Sequence, residues 1–481
     1  MFPSAGMASV WLLLALAGPT FGQETLHDPA FLASGHEARA FVRIAAPCLT
    51  PDLLAGEISR LAAAHPKWVA VETVGASFLG KDIRMLSIGR GPQSILFWSQ
   101  MHGDEPSATP ALLDLADFLA RNSSQPGIAR ILEAFTLRMI PMLNPDGALG
   151  YERRNAQGID INRDALMLTT PEGRLLKSIR DRFSPILGFN LHDQSRRVTV
   201  GDSGILSSIS LLAVAGDAAG TITPGRLRAK RVASRVVRAL SPFIPGGIAR
   251  YDEDWNPRAF GDNITAWGTP VVLIESGAFP PGGGFADLTR LNFVALVSVL
   301  EGLAHNDLAD VPSEVYDGLL RNRSDAFADV AIAGASILEP RSGKWFEADV
   351  AFDVLASDQT VLGCAQPART FSRVVEVGDS SVVTPGRRID GRGLLLAPLS
   401  GDLGMKPGEI TREALLALRP DHTPLSGDPK DVLRALRLSE EGLLRNGRVF
   451  FVIFIPDRNK GGTAGRYLVV ADGLGLDPAL K

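Results

Sequence analysis

Cysteine is nearly missing. Only Cys48 and Cys364 occur in 481 residues, which excludes a disulfide-built scaffold and a cysteine metal cluster. The pair can bridge across the chain or remain two buried thiols, and the sequence leaves both open. Positive charge is not in excess either. With 49 Lys and Arg against 53 Asp and Glu, the net charge is −4, so no basic footprint for nucleic acid is present. Beyond the amino terminus no apolar run is long enough to span a membrane, so no transmembrane span is expected. Internal repeats and low-complexity tracts are absent, which removes solenoids and long disordered linkers from consideration.

What is there is the material of two globular domains, since 481 residues exceed one typical hydrophobic core. The first 22 residues stand apart. Ala8 to Gly18 is almost wholly apolar, and Thr20-Phe21-Gly22 places small residues at −3 and −1 of a cut before Gln23. This pattern predicts a cleaved signal peptide and a secreted or periplasmic protein. Helical periodicity is expected over Pro51–Ala64, Ser107–Leu119 with Ser107 or Thr109 as N-cap, Pro171–Arg182, Pro224–Leu240 and Asp287–Leu303. Short strands are expected over Val69–Val74, Arg84–Ile88, Ile95–Trp98, Phe135–Leu143, Ile186–Leu191 and Pro270–Ile274. Strands alternating with helices predict an α/β fold with a mixed, largely buried sheet flanked by helices. Beyond about Asn306 the texture becomes β-rich. The expected division is 1–22 signal peptide, 23–308 the larger α/β domain and 309–481 a smaller β-rich accessory domain. Its strands are expected over Ala348–Leu355, Thr370–Val377, Gly393–Ala397, Val449–Pro456 and Tyr467–Ala471. Helices are expected there over Thr411–Leu418 and Pro429–Leu438, and its one histidine, His422, at the surface.

Polar groups collect at strand ends. Ile95–Trp98 runs into a loop carrying His102 and Glu105. An imidazole and a carboxylate three residues apart can turn onto one cation, and such ligands sit where open α/β sheets build their sites. Phe189-Asn190-Leu191 ends on His192, which would complete a His2Glu zinc site with one position left for water. Glu275 follows Val-Val-Leu-Ile. A carboxylate there is costly unless paired or in a cleft, and beside activated water it is a general base. Arg153 and Arg163, in the loop from Tyr151 to Asp164, can bring two guanidinium groups to the same cleft, suited to a carboxylate and an oxyanion.

From about Pro51 to His305 the chain resembles the zinc carboxypeptidase family. The resemblance lies in an ordered series: His102/Glu105, Asn144-Pro145-Asp146-Gly147, Arg153-Arg154-Asn155, Asn162-Arg163, His192 and Glu275. It implies a carboxypeptidase-like sheet and one zinc per chain on His102, Glu105 and His192. It also implies Arg153 at the scissile carbonyl, Asn162 and Arg163 on the substrate's terminal carboxylate, and Glu275 as base. One element departs. The family's catalytic-site tyrosine should lie 22 residues before the glutamate, where Glu253 stands, and Tyr251 is the nearest tyrosine. The pocket floor should fall near Gly261 and Asp262. The function implied is a zinc metallocarboxypeptidase hydrolysing C-terminal peptide bonds with zinc-activated water and a glutamate base. The same ligands would serve an amidase or deacylase on a small carboxylate-bearing substrate, or a non-catalytic peptide binder.

Overall fold

The computed structural model describes residues 28–251, 254–280, 283–324, 326–361, 364–399, 408–410, 428–434, 436, 450–457 and 465–470. The apolar leader and its expected cut, Glu253, the helix expected over Thr411–Leu418, and His422 lie outside them.

In chain order the first module's strands are β1 (Val69–Ala76), β2 (Asp82–Gly89), β3 (Gln93–Trp98), β4 (Phe135–Ile140), β5 (Leu187–Asp193), β6 (Thr199–Val200), β7 (Ile209–Ala213), β8 (Ile248–Arg250) and β9 (Val271–Ser276). All but β6 form one sheet in the order β1-β2-β4-β3-β5-β9-β7-β8. Neighbours β4, β3, β5 and β9 run parallel, and β1, β2 and β7 introduce the antiparallel pairs. The parallel strands are buried on both faces, which is why they read as continuous apolar runs. The helices are α1 (Pro29–Arg39), α2 (Pro51–Ala64), α3 (Thr109–Arg121), α4 (Pro126–Ala134), α5 (Pro145–Gly150), α6 (Pro171–Phe183), α7 (Pro224–Leu240), α8 (Phe260–Ala266) and α9 (Phe285–His305). Residues of α1 to α4, α7 and α9 build the core on one face of the sheet. Those of α6 and α8 build the other. The fold is therefore mixed α/β with a buried sheet between helical layers.

Helix starts follow their caps. Thr50, Thr170 and Thr223 each accept a backbone N–H of the first turn, ahead of a proline at N1, the arrangement that satisfies orphan donors at a helix start. Two local expectations need correction. The helix after His102 begins at Thr109 with Ala108 as its cap. The Ser107 hydroxyl donates to Asp193, and the Thr109 hydroxyl donates to Gln100 and the Pro141 carbonyl, so tertiary partners claim both candidate caps. The strand expected to reach Leu143 ends at Ile140, because Asn144 caps α5 by accepting the Gly147 N–H at 3.0 Å. Strands β7 and β8 were not anticipated.

First-module packing continues past residue 308: Leu308, Val311 and Tyr316 belong to its core, and the Tyr316 hydroxyl accepts the Ala213 N–H at 3.1 Å. Next comes β10 (Asn322–Arg323), which pairs with β6. Strands β11 (Phe327–Glu339), β12 (Lys344–Val361), β13 (Cys364–Gly378), β14 (Thr384–Asp390), β15 (Leu395–Leu399), β16 (Gly408–Ile410), β17 (Phe450–Pro456) and β18 (Gly465–Val470) make a second, separate sheet. Ile332, Ile337, Phe352, Leu396 and Ile453 are in its core. The helix expected from Pro429 spans Pro429–Arg434. Cys48 is disulfide-bonded, and the sequence contains a single other cysteine, Cys364. Among the described residues no helix is long and apolar enough to cross a membrane.

Candidate metal centre

The loop leaving β3 is bent by its own backbone. Gln100 sits at φ 44, a left-handed conformation that costs a side-chain-bearing residue on the order of 1–3 kcal/mol. Its carboxamide compensates by donating to the Gly103 carbonyl at 3.0 Å and accepting from Thr109 at 2.8 Å. Gly103 meets the Asn144–Gly147 turn backbone to backbone: a Cβ there would lie 2.0 Å from the Gly147 carbonyl carbon. Gly147 is equally confined, with the Asn144 amide 2.4 Å and the Arg154 carbonyl 2.6 Å from where its Cβ would be. The Asn-Pro-Asp-Gly motif thus braces the loop that carries His102 and Glu105. Its Asp146 faces the other way, accepting from the Ser77 hydroxyl and the Leu79 N–H.

His102, Glu105 and His192 converge. One ligand atom from each lies within 4.8 Å of the others, and all three residues are buried. His192 Nδ1 is 2.6 Å from Glu105 Oε2, His102 Nδ1 is 2.8 Å from Glu105 Oε1, and the two Nδ1 atoms are 3.2 Å apart. Two imidazole nitrogens and a carboxylate brought this close in a buried pocket are the donor set of zinc, so the residues fit the ion the sequence implies. A second group of potential ligands, Glu301, His305 and Asp307, is otherwise occupied, because Arg235 pairs with the Glu301 carboxylate.

The second nitrogen of His102 is taken by a residue the sequence reading passed over. Its Nε2 lies 3.0 Å from Asp160 Oδ1, and Asp160 Oδ2 accepts from Arg153 Nε at 3.1 Å. Asp160 Oδ1 also accepts the Asn162 N–H, capping the turn Ile161–Arg163. One carboxylate therefore orients the histidine, Arg153 and the Asn162-Arg163 turn. Its position two residues before Asn162 was the available signal.

Charge in the pocket is strongly coupled. Burial works against the protonated His102 ring, but the Glu105 charge and hydrogen bonds to Asp160 and Glu105 outweigh it and raise the group to about 9. Burial likewise opposes ionised Glu105, yet the charges and hydrogen bonds of His192 and His102 bring it down to about 2. Burial keeps His192 below its ordinary value. Asp193 is pushed up to about 8 by burial and then by Glu105, although Ser107 donates to it twice.

Glu275 stands directly beside His192 in the β5–β9 ladder and is buried. Burial first, then the Glu105 charge, drives its carboxyl well above the usual range. Arg153 reaches the triad, donating to Glu105 Oε1 at 3.1 Å. Arg154 turns away to the Gly158 carbonyl. Asn162, Arg163 and Tyr251 line the same cleft of about 810 Å³. Asn162 Oδ1 is spent on the Phe260 N–H at 2.9 Å, and Arg163 Nη1 donates to the Asn162 carbonyl at 2.7 Å. Tyr251 faces Glu275, whose charge, ahead of burial, raises the phenol above its ordinary range. Asp262 lines the cleft with burial holding it up at about 6, whereas Gly261 approaches the Asn190 carboxamide. The sequence reading missed Asp193, and also Arg321, Asn322 and Ser324, which reach the cleft from the segment between the modules. No local pattern marks those three.

Residues 55–173 match the zinc carboxypeptidase family, the family that the motifs resemble. Carboxypeptidase 2 of Trichophyton rubrum is 28% identical over 192 residues, covering 38% of this chain and 35% of that protein. Carboxypeptidase SOL1 of Arabidopsis thaliana is 33% identical over 99 residues, 19% of this chain and 20% of the relative. The chain thus spans about a third or less of the length of these curated relatives. Among solved structures, a metallo-carboxypeptidase from Pseudomonas aeruginosa, in complex with (2-guanidinoethylmercapto)succinic acid, aligns at a TM-score of 0.43 with 20% identity. That alignment covers 53% of this chain and 69% of the other.

Proposed function

We propose that this chain, whose residues 55–173 match the zinc carboxypeptidase family, is a zinc-dependent metallocarboxypeptidase that hydrolyses C-terminal peptide bonds. The observation that carries the reading is the pairing of Glu275 with His192 across β5 and β9. The pairing sets a carboxyl group beside the triad, in a cleft that also holds Arg153 and Arg163, and this supports a proton-transfer role for it. His102, Glu105 and His192 would hold one zinc ion, which supplies Lewis acidity toward the scissile carbonyl and the attacking water.

The chain's own residues do the rest. Glu275 takes the proton from the attacking water on a carboxylate oxygen and passes it to the leaving amine. Burial, which raises its carboxyl above the ordinary range, favours the protonated form that donates to the leaving amine. Arg153 contributes positive charge where the carbonyl oxygen becomes anionic. Arg163, with Asn162, takes the terminal carboxylate, and Tyr251 closes on the same space. The apolar leader from Ala8 to Gly18 supports export, so the protein works outside the cytoplasm, secreted or periplasmic.

The test is Glu275→Gln, assayed on a blocked peptide and on a small N-acyl amino acid, with and without chelator. Turnover should fall roughly 10²–10⁴-fold, the share general acid–base catalysis supplies, while zinc content stays at that of the parent. Cleavage of the N-acyl amino acid alone would favour a deacylase. Cleavage at the parent rate by the variant would sink the role given to Glu275.

A further inference from the structure

At the other end of the sheet from the triad lies a second cavity, a groove of about 410 Å³. Gln93 and Phe135, the first residues of β3 and β4, line it together with Ile186, just ahead of β5. The chain from Ile186 to His192 spans roughly 20 Å at the rise of a strand, so groove and cleft open at opposite strand ends. Phe135, Ile186, Leu227, Leu303 and Leu308 give the groove an apolar surface, and Arg228 and Arg231 stand on its wall. Among the described residues no acid lines it. Asp307, in the chain between Leu303 and Leu308, gathers with Glu301 and His305 instead.

Both arginines come from α7, three residues apart and so on one face. Other cations of that helix are spent inside the protein. Lys230 pairs with Asp317 and Arg235 with Glu301, while Arg226 donates to the Ala213 and Gly220 carbonyls. Arg228 gives one nitrogen to the Ile186 carbonyl at 3.4 Å, which keeps its guanidinium at the edge of the groove. Arg231 has no hydrogen-bond or ion-pair partner among the described residues. The first turn of α7 holds no acid, so no side chain there offsets the positive end of the helix. The wall is complementary to an anion.

The backbone around the groove decides what that anion is attached to. Phe135 donates its N–H to the Ile131 carbonyl, and its own carbonyl accepts from Gly91. Ile186 donates to the Ser94 carbonyl and accepts from Arg228. The carbonyls of Leu303 and Leu308 accept from Asn306 and Val311. Only the carboxamides of Gln93 and Asn306 remain on the groove as neutral polar side chains, too few for the amides of an extended peptide, which are costly to bury unpaired. An alkyl chain has no such groups to satisfy.

We propose that this groove binds a free fatty acid: the alkyl chain lies along Phe135, Ile186 and Leu308, and the carboxylate pairs with Arg231 beside Arg228. The site stands apart from the peptidase reading, since it shares no lining residue with the cleft of the triad. Burial of the chain supplies affinity that grows with its length, and the planar guanidinium fork holds the head.

The experiment titrates the full-length, zinc-loaded protein calorimetrically with decanoate, below its micellar range. Decanol, which has the chain without the charge, should bind about tenfold more weakly. Butyrate, which has the charge on a short chain, should bind at least roughly a hundredfold more weakly. Arg231→Gln should weaken decanoate about tenfold and remove most of the salt dependence of binding. Ala309→Trp, which fills the groove from an exposed position, should abolish binding and leave Tm at that of the parent. Arg163→Ala should leave Kd unchanged, which separates the groove from the carboxylate site of the cleft. Failure of decanoate to bind, a Kd unmoved by Arg231→Gln or by Ala309→Trp, or loss of binding in Arg163→Ala would overturn the inference. Tighter binding at the groove by an acidic, leucine-rich peptide would overturn it as well, giving the surface to a protein segment.

Discussion

His102 and Asp160 meet through the ring nitrogen that the triad leaves over: Nε2 lies 3.0 Å from Oδ1, while Nδ1 points at Glu105. Such a partner fixes the tautomer and raises the basicity of a ligating histidine. Here the same carboxylate also holds Arg153 at 3.1 Å, so ligand and oxyanion group share one anchor.

Asp160→Asn should therefore weaken zinc binding by about 10–100-fold, the usual cost of losing an outer partner of a metal ligand. Competition against a chromogenic chelator measures it. Unchanged affinity would mean that the hydrogen bond is incidental.

The zinc-free protein should lose stability as pH rises. His102 is raised from 6.5 to about 9, so the folded state holds its proton more tightly than the unfolded chain does. That contribution is complete below about 6.5 and disappears as pH rises through about 9. The effect of His192, whose value is lowered, falls below 6.5 and does not overlap. Thermal melts in chelator should show Tm declining across that window. In the zinc-loaded protein, where both rings are proton-free ligands, the His102 contribution is gone and Tm should decline less steeply over the same window, and parallel profiles for the two forms would count against the triad.

Arg163→Ala should raise KM for peptides with a free C-terminus far more than for their amides, by roughly the 1.5–3 kcal/mol of a charged hydrogen bond. Steady-state kinetics on one peptide in both forms is sufficient. Equal effects would remove Arg163 from the carboxylate site.

Gly103→Ala probes the brace under the ligand loop. With a Cβ 2.0 Å from the Gly147 carbonyl carbon, one backbone has to move, at the roughly 1–3 kcal/mol typical of overpacking. Because the moving segment lies between His102 and Glu105, zinc occupancy should fall along with Tm. A variant with parental Tm and zinc content would show that the two turns yield without cost.

How much of this was legible depends on the range of each signal. The pairing of Glu275 with His192 could be approached from sequence because β5 and β9 are buried on both faces, and an apolar run that halts on a charged residue is visible locally. Helices α2 and α7 begin and end where their Thr–Pro starts and apolar periodicity place them. The cap of α3 escaped because Ser107 and Thr109 are equally good local caps. Only the approach of Asp193 and Gln100 diverts both hydroxyls. Strands β7 and β8 were missed because each is short and its register is set by a neighbour, β9 for β7 and β7 for β8, not by a pattern of its own.

The chain by itself determined which residues end up at strand ends, since burial of the intervening apolar side chains leaves a polar terminus nowhere else to go. It also determined the glycines at 103 and 147, whose missing side chains let two turns touch. Which nitrogen of His102 faces the triad was decided by Asp160, fifty-eight residues away. That the strand between the modules would become a wall of the cleft was decided by its pairing with β6. Neither is written in any local run of residues, because a hydrogen bond between distant segments depends on how the layers pack, and packing depends on the whole chain at once.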